Sequence, residues 1–241
     1  MDVERFWLVV DEIRGRAEEV GAQDDAALWD CVVDVLAGRL DAQEILAFNA
    51  VATDVAHQAD TSAMVAAMFL IEGYVSDDTF MDFRDGVILL GRRTFEAALN
   101  DPDSLVDHPI VVGSTPSARV AGLRGEISFE SIVSTAVDAW VRVTGAEDED
   151  DFWEAASEVE NETPAARVAP AQPDEPWDVS DPDEIRRRLP RLAERFAERF
   201  KPRLSTARLP EVTGPSTRGA ARLSTFQDGV DRGREAATHE A

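Results

Sequence analysis

The chain has 241 residues, 44% of them hydrophobic, and a net charge of −24 at pH 7. This apolar content is ordinary for a globular protein and supplies enough side chains for a sizeable core. The acidic excess argues against nucleic acid and anionic membranes as partners, because both recognise clustered Lys and Arg side chains. We therefore expect a protein partner, and the charge favours a basic one.

The cysteine and hydropathy patterns favour a cytoplasmic protein. The single cysteine, Cys31, excludes an intrachain disulfide framework and a multi-cysteine zinc site, and it fits a reducing compartment. Residues 1–5 lack the basic start of a secretory signal, and the longest apolar stretch, residues 64–71, is too short to span a membrane. No phosphate-binding, dinucleotide-binding or nucleophile motif is present, so the sequence predicts no cofactor and no metal.

The charge is distributed unevenly along the chain. Residues 1–160 contain 34 acidic residues and 10 arginines, which gives −24, whereas residues 161–241 are neutral. Within the second part, residues 186–203 contain eight basic and two acidic residues. One lysine against 23 arginines is typical of GC-rich coding, as in actinobacteria. The sequence thus predicts an acidic body followed by one basic segment.

Apolar residues at three-four spacing predict an all-α protein, a multi-helix bundle. The predicted helices cover residues 2–20, 25–37, 41–59, 63–71, 77–90, 92–99, 128–144 and 181–200, with a weak helix after Phe152. Asp2, Asp41, Thr61 or Ser62, and Ser76 are predicted N-caps, and Gly21, Gly38 and Gly73 are predicted helix ends. Residues 63–71 are apolar nearly all round, which places them at the centre of the bundle.

The remaining segments define four parts of the chain. Residues 1–160 form the predicted acidic helical domain, with an irregular loop near 108–126 in which a short strand over Ile110–Val112 is compatible with the sequence. Residues 161–176 are a Pro-rich linker and residues 177–202 a basic C-terminal helix, broken part way by Pro190. Residues 203–241 are predicted to be disordered. The basic helix either docks back onto the acidic domain or binds an external partner.

Two groups of charged residues could carry chemistry. Asp77 and Asp78 follow Ser76, where they could act as metal ligands or general bases, but acids in a first helical turn more often stabilise the helix dipole. Arg84, Arg92 and Arg93 could form a pocket for an anion or carboxylate. Internal pairing is the favoured interpretation, and the available acids are Asp77, Asp78, Glu96 and Asp103.

Several motifs together resemble a bacterial family known as domain of unknown function 4240. They are Phe6-Trp7, Ser76-Asp77-Asp78-x-Phe80-x-x-Phe83-Arg84, Gly91-Arg92-x-x-Phe95-Glu96-Ala97-Ala98-Leu99, Asp101-Pro102-Asp103-Ser104-Leu105, Glu175-Pro176-Trp177-Asp178 and Arg188-Leu189-Pro190-Arg191-Leu192. The resemblance spans about residues 1–200 and implies no catalytic residue. The chain differs from the family pattern at Ser62-Ala63-Met64, where an aromatic residue or Trp is usual just before the apolar helix, and at Val87-Ile88, where Trp-Leu is usual.

The motif positions nominate a set of candidate binding residues near the fifth helix. They are Asp77, Asp78, Arg84, Arg92, Trp7, Phe80 and Phe83. If they converge, they form an aromatic and Arg/Asp cluster that either fixes two helices or binds a ligand. We expect a non-enzymatic cytoplasmic protein with a regulatory, accessory or immunity-type role. The alternative is an enzyme or small-molecule binder with a pocket around residues 76–93.

Overall fold

Every regular element in the described part of the chain is a helix, as the sequence predicts. The computed structural model describes residues 1–22, 24–113, 127–162 and 177–200. The α-helices are α1 (Val3–Val20), α2 (Asp25–Arg39), α3 (Ala42–Gln58), α4 (Ser62–Glu72), α5 (Asp77–Leu89), α6 (Arg92–Asn100), α7 (Pro109–Gly113), α8 (Ile132–Thr144), α9 (Asp150–Glu162), α10 (Pro182–Arg188) and α11 (Pro190–Arg195). Two 3₁₀ helices span Pro102–Asp107 and Ala197–Phe200. The predicted all-α bundle is confirmed.

Helix boundaries follow local capping chemistry. Side chains that accept a hydrogen bond from the first turn precede eight helices of the described chain: Asp2, Asp24, Asp41, Thr61, Ser76, Asp101, Ser131 and Asp181. Such a cap satisfies one of the amide groups that the first turn leaves without a helical acceptor. Gly21 and Gly73 end α1 and α4 with left-handed backbone, at φ values of 66° and 81°. The caps predicted at Asp2, Asp41, Ser76 and Thr61 are confirmed.

The core lies where α3 and α8 pack against each other. Helix α2 packs on α8 and on α1, while α9 covers α3. Helix α5 contacts α1, α3, α4 and α6. Helix α4 buries six of its eleven residues, which agrees with its apolar sequence. These described residues belong to one compact unit that spans Met1–Lys201.

The basic segment packs on the acidic part of the chain. Helix α11 contacts α4 and the 3₁₀ helix Pro102–Asp107, and it buries Leu192 completely. The carboxylate of Asp103, which is buried, accepts hydrogen bonds from the backbone N–H groups of Arg191 at 2.9 Å and Leu192 at 2.8 Å. Asp103 therefore caps α11 from another element.

Two arginines of the same segment cap helices of the acidic part. Arg195 donates from Nη2 to the carbonyl oxygen of Val111 at 3.1 Å, at the end of α7. Arg199 donates from Nε to the carbonyl oxygen of Leu70 at 3.3 Å, near the end of α4. Cations at helix C-termini satisfy free carbonyl groups and complement the helix dipole. The segment is thus held on the acidic part by two kinds of contact. A carboxylate of the acidic part accepts from backbone amides of the segment, and guanidinium groups of the segment donate to backbone carbonyls of the acidic part.

Three local predictions are wrong. Gly38 does not end α2, which continues through Arg39 to a cap at Leu40. Residues 110–112 are not a strand, because Pro109 starts a helical turn in which the N–H of Val112 donates to the carbonyl oxygen of His108 at 2.9 Å. The helix predicted over 128–144 starts only at Ile132, because contacts with α4 and α5 hold residues 127–131 outside the helix.

Other predictions lie outside the described residues. They concern the irregular loop between 114 and 126, the Pro-rich linker between 163 and 176, and the tail after residue 200.

The break predicted at Pro190 is confirmed, since α10 ends at Arg188 and α11 starts at Pro190.

Candidate functional site

The predicted aromatic residues belong to the hydrophobic core. Phe83 is fully buried, and Trp7 and Phe80 are nearly so. The ring centroid of Trp7 lies 5.5 Å from that of Phe95, in a tilted arrangement. These contacts join α1 to α6, so the aromatic part of the motifs positions helices and offers no open surface to a ligand.

Asp77 and Asp78 lie in the exposed first turn of α5. Ser76 and Thr79 form a reciprocal capping box at this helix start. Neither carboxylate makes an ion pair with any residue that the structure describes. Their position matches the predicted capping role, in which acids stabilise the positive end of the helix dipole.

Arg84 and Arg92 are both paired, and they lie in different surroundings. The side chain of Arg84 is only 11% exposed, lies over the Phe80 ring and places Nη1 3.8 Å from Oδ2 of Asp60. Arg92 donates from Nη1 to Glu4 at 2.6 Å and from Nε to Glu96 at 2.7 Å. The predicted pairing of Arg92 with Glu96 is confirmed. The acid beside Arg84 is Asp60, which is not one of the four predicted partners.

Two concave surfaces flank α5. Neither of them is lined by the predicted binding residues alone. The first, which we call the acidic hollow, has a volume of about 330 Å³. Its lining residues are Asp25, Met68, Glu72, Tyr74, Thr79, Asp82, Ser128 and Glu130. The hollow lies between α4, α5 and the start of α2, and residues 128–130 close one side.

Like charges dominate the acidic hollow. Burial raises the pKa of Asp82, and the negative charges of Glu130, Asp78 and Asp25 raise it further. No arginine pairs with Asp82 or Glu130 within the described ranges. Tyr74 projects at the edge of the hollow and is 64% exposed. The hollow therefore presents the carboxylates of Asp82 and Glu130, with which no arginine of the described residues pairs, beside an accessible aromatic ring.

Carboxylates also hold the segment 127–132 against α4 and α5. Glu72 Oε1 accepts from the backbone N–H groups of Ile127 at 3.1 Å and Ser128 at 2.9 Å. Asp85 Oδ2 accepts from the N–H of Ile132 at 2.9 Å, at the start of α8. Gly86 allows the close approach, since a Cβ there would lie 1.7 Å from the carbonyl oxygen of Ile127.

The pKa of Asp85 is raised to about 6. Burial is the main cause, and the negative charge of Asp82 adds to it. The hydrogen bond from Ile132 and the positive charge of Arg84 both favour the ionised form and limit the shift. Burial therefore outweighs two favourable contacts, and the Asp85 carboxylate destabilises the folded state at neutral pH.

The second concave surface, which we call the arginine cleft, has a volume of about 610 Å³. Its lining residues are Asp11, Arg14, Leu90, Gly91, Arg92, Arg93, Thr94, Glu96, Ala97 and Asn100. Gly91 joins α5 to α6 with a φ of 94°, a conformation that side-chain-bearing residues rarely adopt. The missing side chain makes room for Arg14, whose Nη1 would lie 2.5 Å from a Cβ at position 91.

The residues that give each surface its character could not be predicted from local sequence patterns, with one exception. Arg14 is 77 positions from Gly91 in the chain, so no local pattern connects them. Asp82 and Glu130 are likewise brought together only by the packing of residues 127–131 on α5. Tyr74 could have been found, because it lies in the short connection between the predicted end of α4 at Gly73 and the cap at Ser76.

The described residues give no sign of a metal centre or a membrane span. No group of three or more His, Cys, Asp or Glu side chains among them is arranged to hold a metal ion. Within the same residues, no helix is both long enough and apolar enough to cross a bilayer.

The fold and the two surfaces define an acidic, all-helical protein with a mainly structural aromatic cluster. The chain belongs to the family described as "Protein of unknown function (DUF4240)", whose profile matches residues 1–142. The match ends within α8, so the C-terminal basic segment lies outside it. No curated protein and no solved structure matches the chain.

Proposed function

We propose that this protein is a non-enzymatic, cytoplasmic protein that binds a basic protein partner, in a regulatory, accessory or immunity-type role. The acidic hollow is the proposed contact surface. The observation that carries the proposal is the position of Asp82 and Glu130 in the lining of the hollow, where no arginine of the described residues pairs with either. Burial and neighbouring negative charges also raise the pKa of Asp82. A cationic side chain from a partner would relieve this repulsion on binding.

Tyr74 adds an exposed aromatic ring to the negative charge of the acidic hollow. Tyrosine is enriched at binding hot spots because its ring offers contact area and its hydroxyl offers a hydrogen bond. The face of an exposed ring also attracts Lys and Arg side chains. With Tyr74 at 64% exposure beside Asp82 and Glu130, the hollow suits an Arg or Lys side chain that projects from a protein surface.

The charge of the whole chain supports the same partner class. A net charge of −24 attracts basic proteins over a distance and raises their association rate. The same charge opposes binding to nucleic acid or to anionic lipids, whose negative charges would be repelled.

The alternative, an enzyme or small-molecule binder around residues 76–93, receives less support from the geometry. Its proposed acids, Asp77 and Asp78, lie in an exposed first helical turn. Its proposed cations, Arg84 and Arg92, lie apart, since Arg92 lines the arginine cleft and Arg84 pairs with Asp60 outside it. A catalytic group needs reacting partners within hydrogen-bond reach, and these four residues do not share one cleft.

The experiment identifies the partner through the hollow itself. A photo-crosslinking amino acid replaces Tyr74 in the host cell, the crosslinked protein is identified by mass spectrometry, and the purified pair is studied by calorimetry. We expect a partner with a basic surface. We also expect the double substitution Asp82→Asn and Glu130→Gln to weaken binding by about thirtyfold or more, since each of the two lost charge-assisted contacts costs about 1 kcal/mol or more.

A charge-matched variant serves as the control. Asp150→Asn with Asp151→Asn removes the same charge from the exposed first turn of α9. Screening over about 8 Å at physiological salt leaves distant charges little influence, so this variant should bind nearly as well as the original protein. An acidic partner, or equal weakening by the two double variants, would contradict the proposed surface.

A further inference from the structure

The arginine cleft gathers arginine side chains in a part of the chain that has few of them. Of the ten arginines in residues 1–160, three line this single surface. Arg14 comes from α1, and Arg92 and Arg93 come from the first turn of α6. The cleft therefore stands out from the acidic surface around it, and it is separate from the acidic hollow.

The guanidinium groups keep unused hydrogen-bond donors. Each guanidinium has five N–H groups. Arg92 gives one each to Glu4 and Glu96, and Arg14 gives one to Asp11 at 3.2 Å. Arg93 is exposed and makes no ion pair with the residues that the structure describes. The internal carboxylates thus orient Arg14 and Arg92 without using all their donors.

The cleft also fits a ligand in size and polarity. Its volume of about 610 Å³ is within the usual range for small-molecule sites. Thr94 and Asn100 add neutral polar side chains to the lining. Gly91 brings no side chain into the cleft, and it forms no side-chain cap on the amides of the first turn of α6. These amides are additional donors beside the arginines.

We propose that the arginine cleft binds a small molecule that carries a phosphate group. Three guanidinium groups from two helices line the cleft, and together they offer more donors than the two coplanar oxygens of a carboxylate can accept, whereas a phosphate has several acceptor oxygens. This inference does not depend on the proposed protein partner.

Pyrophosphate is the probe that tests the cleft in the full-length chain. We expect amide chemical shifts in an NMR titration to change at residues 91–94 and little elsewhere. Arg14→Gln and Arg93→Gln should each weaken pyrophosphate binding by about tenfold, because each removes charge-assisted donors. Inorganic phosphate should give the same pattern with lower affinity, and acetate should bind much more weakly than either.

Arg16→Gln is the matched control, because Arg16 lies on the same helix α1 and pairs with Glu19 outside the cleft. It should leave pyrophosphate affinity unchanged. The proposal is overturned if millimolar pyrophosphate leaves residues 91–94 unshifted, or if Arg16→Gln weakens binding as much as Arg93→Gln does. Acetate affinity equal to that of phosphate would overturn the assigned ligand class. Because Arg93 is exposed, its variant keeps the fold and remains informative.

Discussion

Asp85 shows how one residue can stabilise local structure and still carry an energetic cost. Its carboxylate accepts the hydrogen bond that starts α8, yet burial raises its pKa to about 6. The folded protein therefore binds a proton more tightly than the unfolded chain, in which the pKa is 3.8. The stability that Asp85 contributes is fully present below about pH 4 and is lost as the pH rises through about 6.

We predict that Asp85→Asn stabilises the protein at neutral pH. The amide oxygen still accepts from Ile132, and no buried charge remains. A pKa shift of about two units corresponds to about 3 kcal/mol, so the free energy of unfolding should rise by about 1–3 kcal/mol at pH 7. Urea unfolding at pH 7 and pH 4 measures this, and the gain should disappear at pH 4.

Asp85→Ala separates the charge from the hydrogen bond. Alanine also removes the charge but leaves the N–H of Ile132 without its acceptor. It should therefore be less stable than Asp85→Asn by about 1–3 kcal/mol. A loss of stability in Asp85→Asn at pH 7 would show that the carboxylate contributes more through its contacts than its burial costs.

Residue-scale features could be predicted from the sequence only where they are local. The caps at Asp2, Asp41 and Ser76 depend on residues three positions away, and they are confirmed. The contacts of Asp85 with Ile132 and of Arg14 with Gly91 join residues far apart in the chain, so capping and spacing rules hold no information about them.

At the scale of elements, Asp103 makes a buried polar contact between the C-terminal segment and the rest of the chain. Asp103→Ala should leave the N–H groups of Arg191 and Leu192 without acceptors, at a cost of about 1–3 kcal/mol. We predict amide hydrogen exchange in α11 that is about tenfold faster or more, because this free energy favours local opening. Exchange measured by mass spectrometry reports it peptide by peptide.

Asp107→Asn is the control for this prediction. Asp107 only pairs with the exposed side chain of Arg191, and such pairs contribute about 1 kcal/mol or less. Amide hydrogen exchange in α11 should change little in this variant. If Asp103→Ala leaves α11 equally protected, then the apolar contacts of Leu192 and its neighbours hold the segment without help from the cap.

Most helices could be predicted from the sequence, since apolar residues at three-four spacing directly indicate a helix with one buried face. The failures occur where another part of the chain determines the backbone. Residues 128–131 have helical spacing, but Glu72 and Asp82 draw their amides into contacts with α4 and α5. The 3₁₀ helix Pro102–Asp107 was predicted only as a turn, because its role as a support for α11 depends on a distant segment.

At the scale of the whole molecule, like-charge repulsion opposes the folded state. A net charge of −24 destabilises a compact chain, and salt screens that repulsion. We predict that raising NaCl from about 20 mM to about 500 mM increases the melting temperature by about 2–4 °C, which corresponds to about 1 kcal/mol for a chain of this size. Calorimetry at several salt concentrations measures the effect.

Choline chloride at equal ionic strength is the control, because screening depends on charge and not on the identity of the cation. It should raise the melting temperature to the same extent. A fall in melting temperature with both salts would mean that surface ion pairs such as Arg142–Asp34 outweigh the net repulsion.

Cys31 gives the molecule a useful chemical property. It is the single cysteine of the chain, it is buried in α2, and burial raises its pKa. Only the thiolate form attacks alkylating reagents, so this thiol reacts slowly at neutral pH. A cysteine placed at an exposed position such as Arg93 or Trp153 would therefore be alkylated first, and a fluorophore could be attached there while Cys31 stays in place.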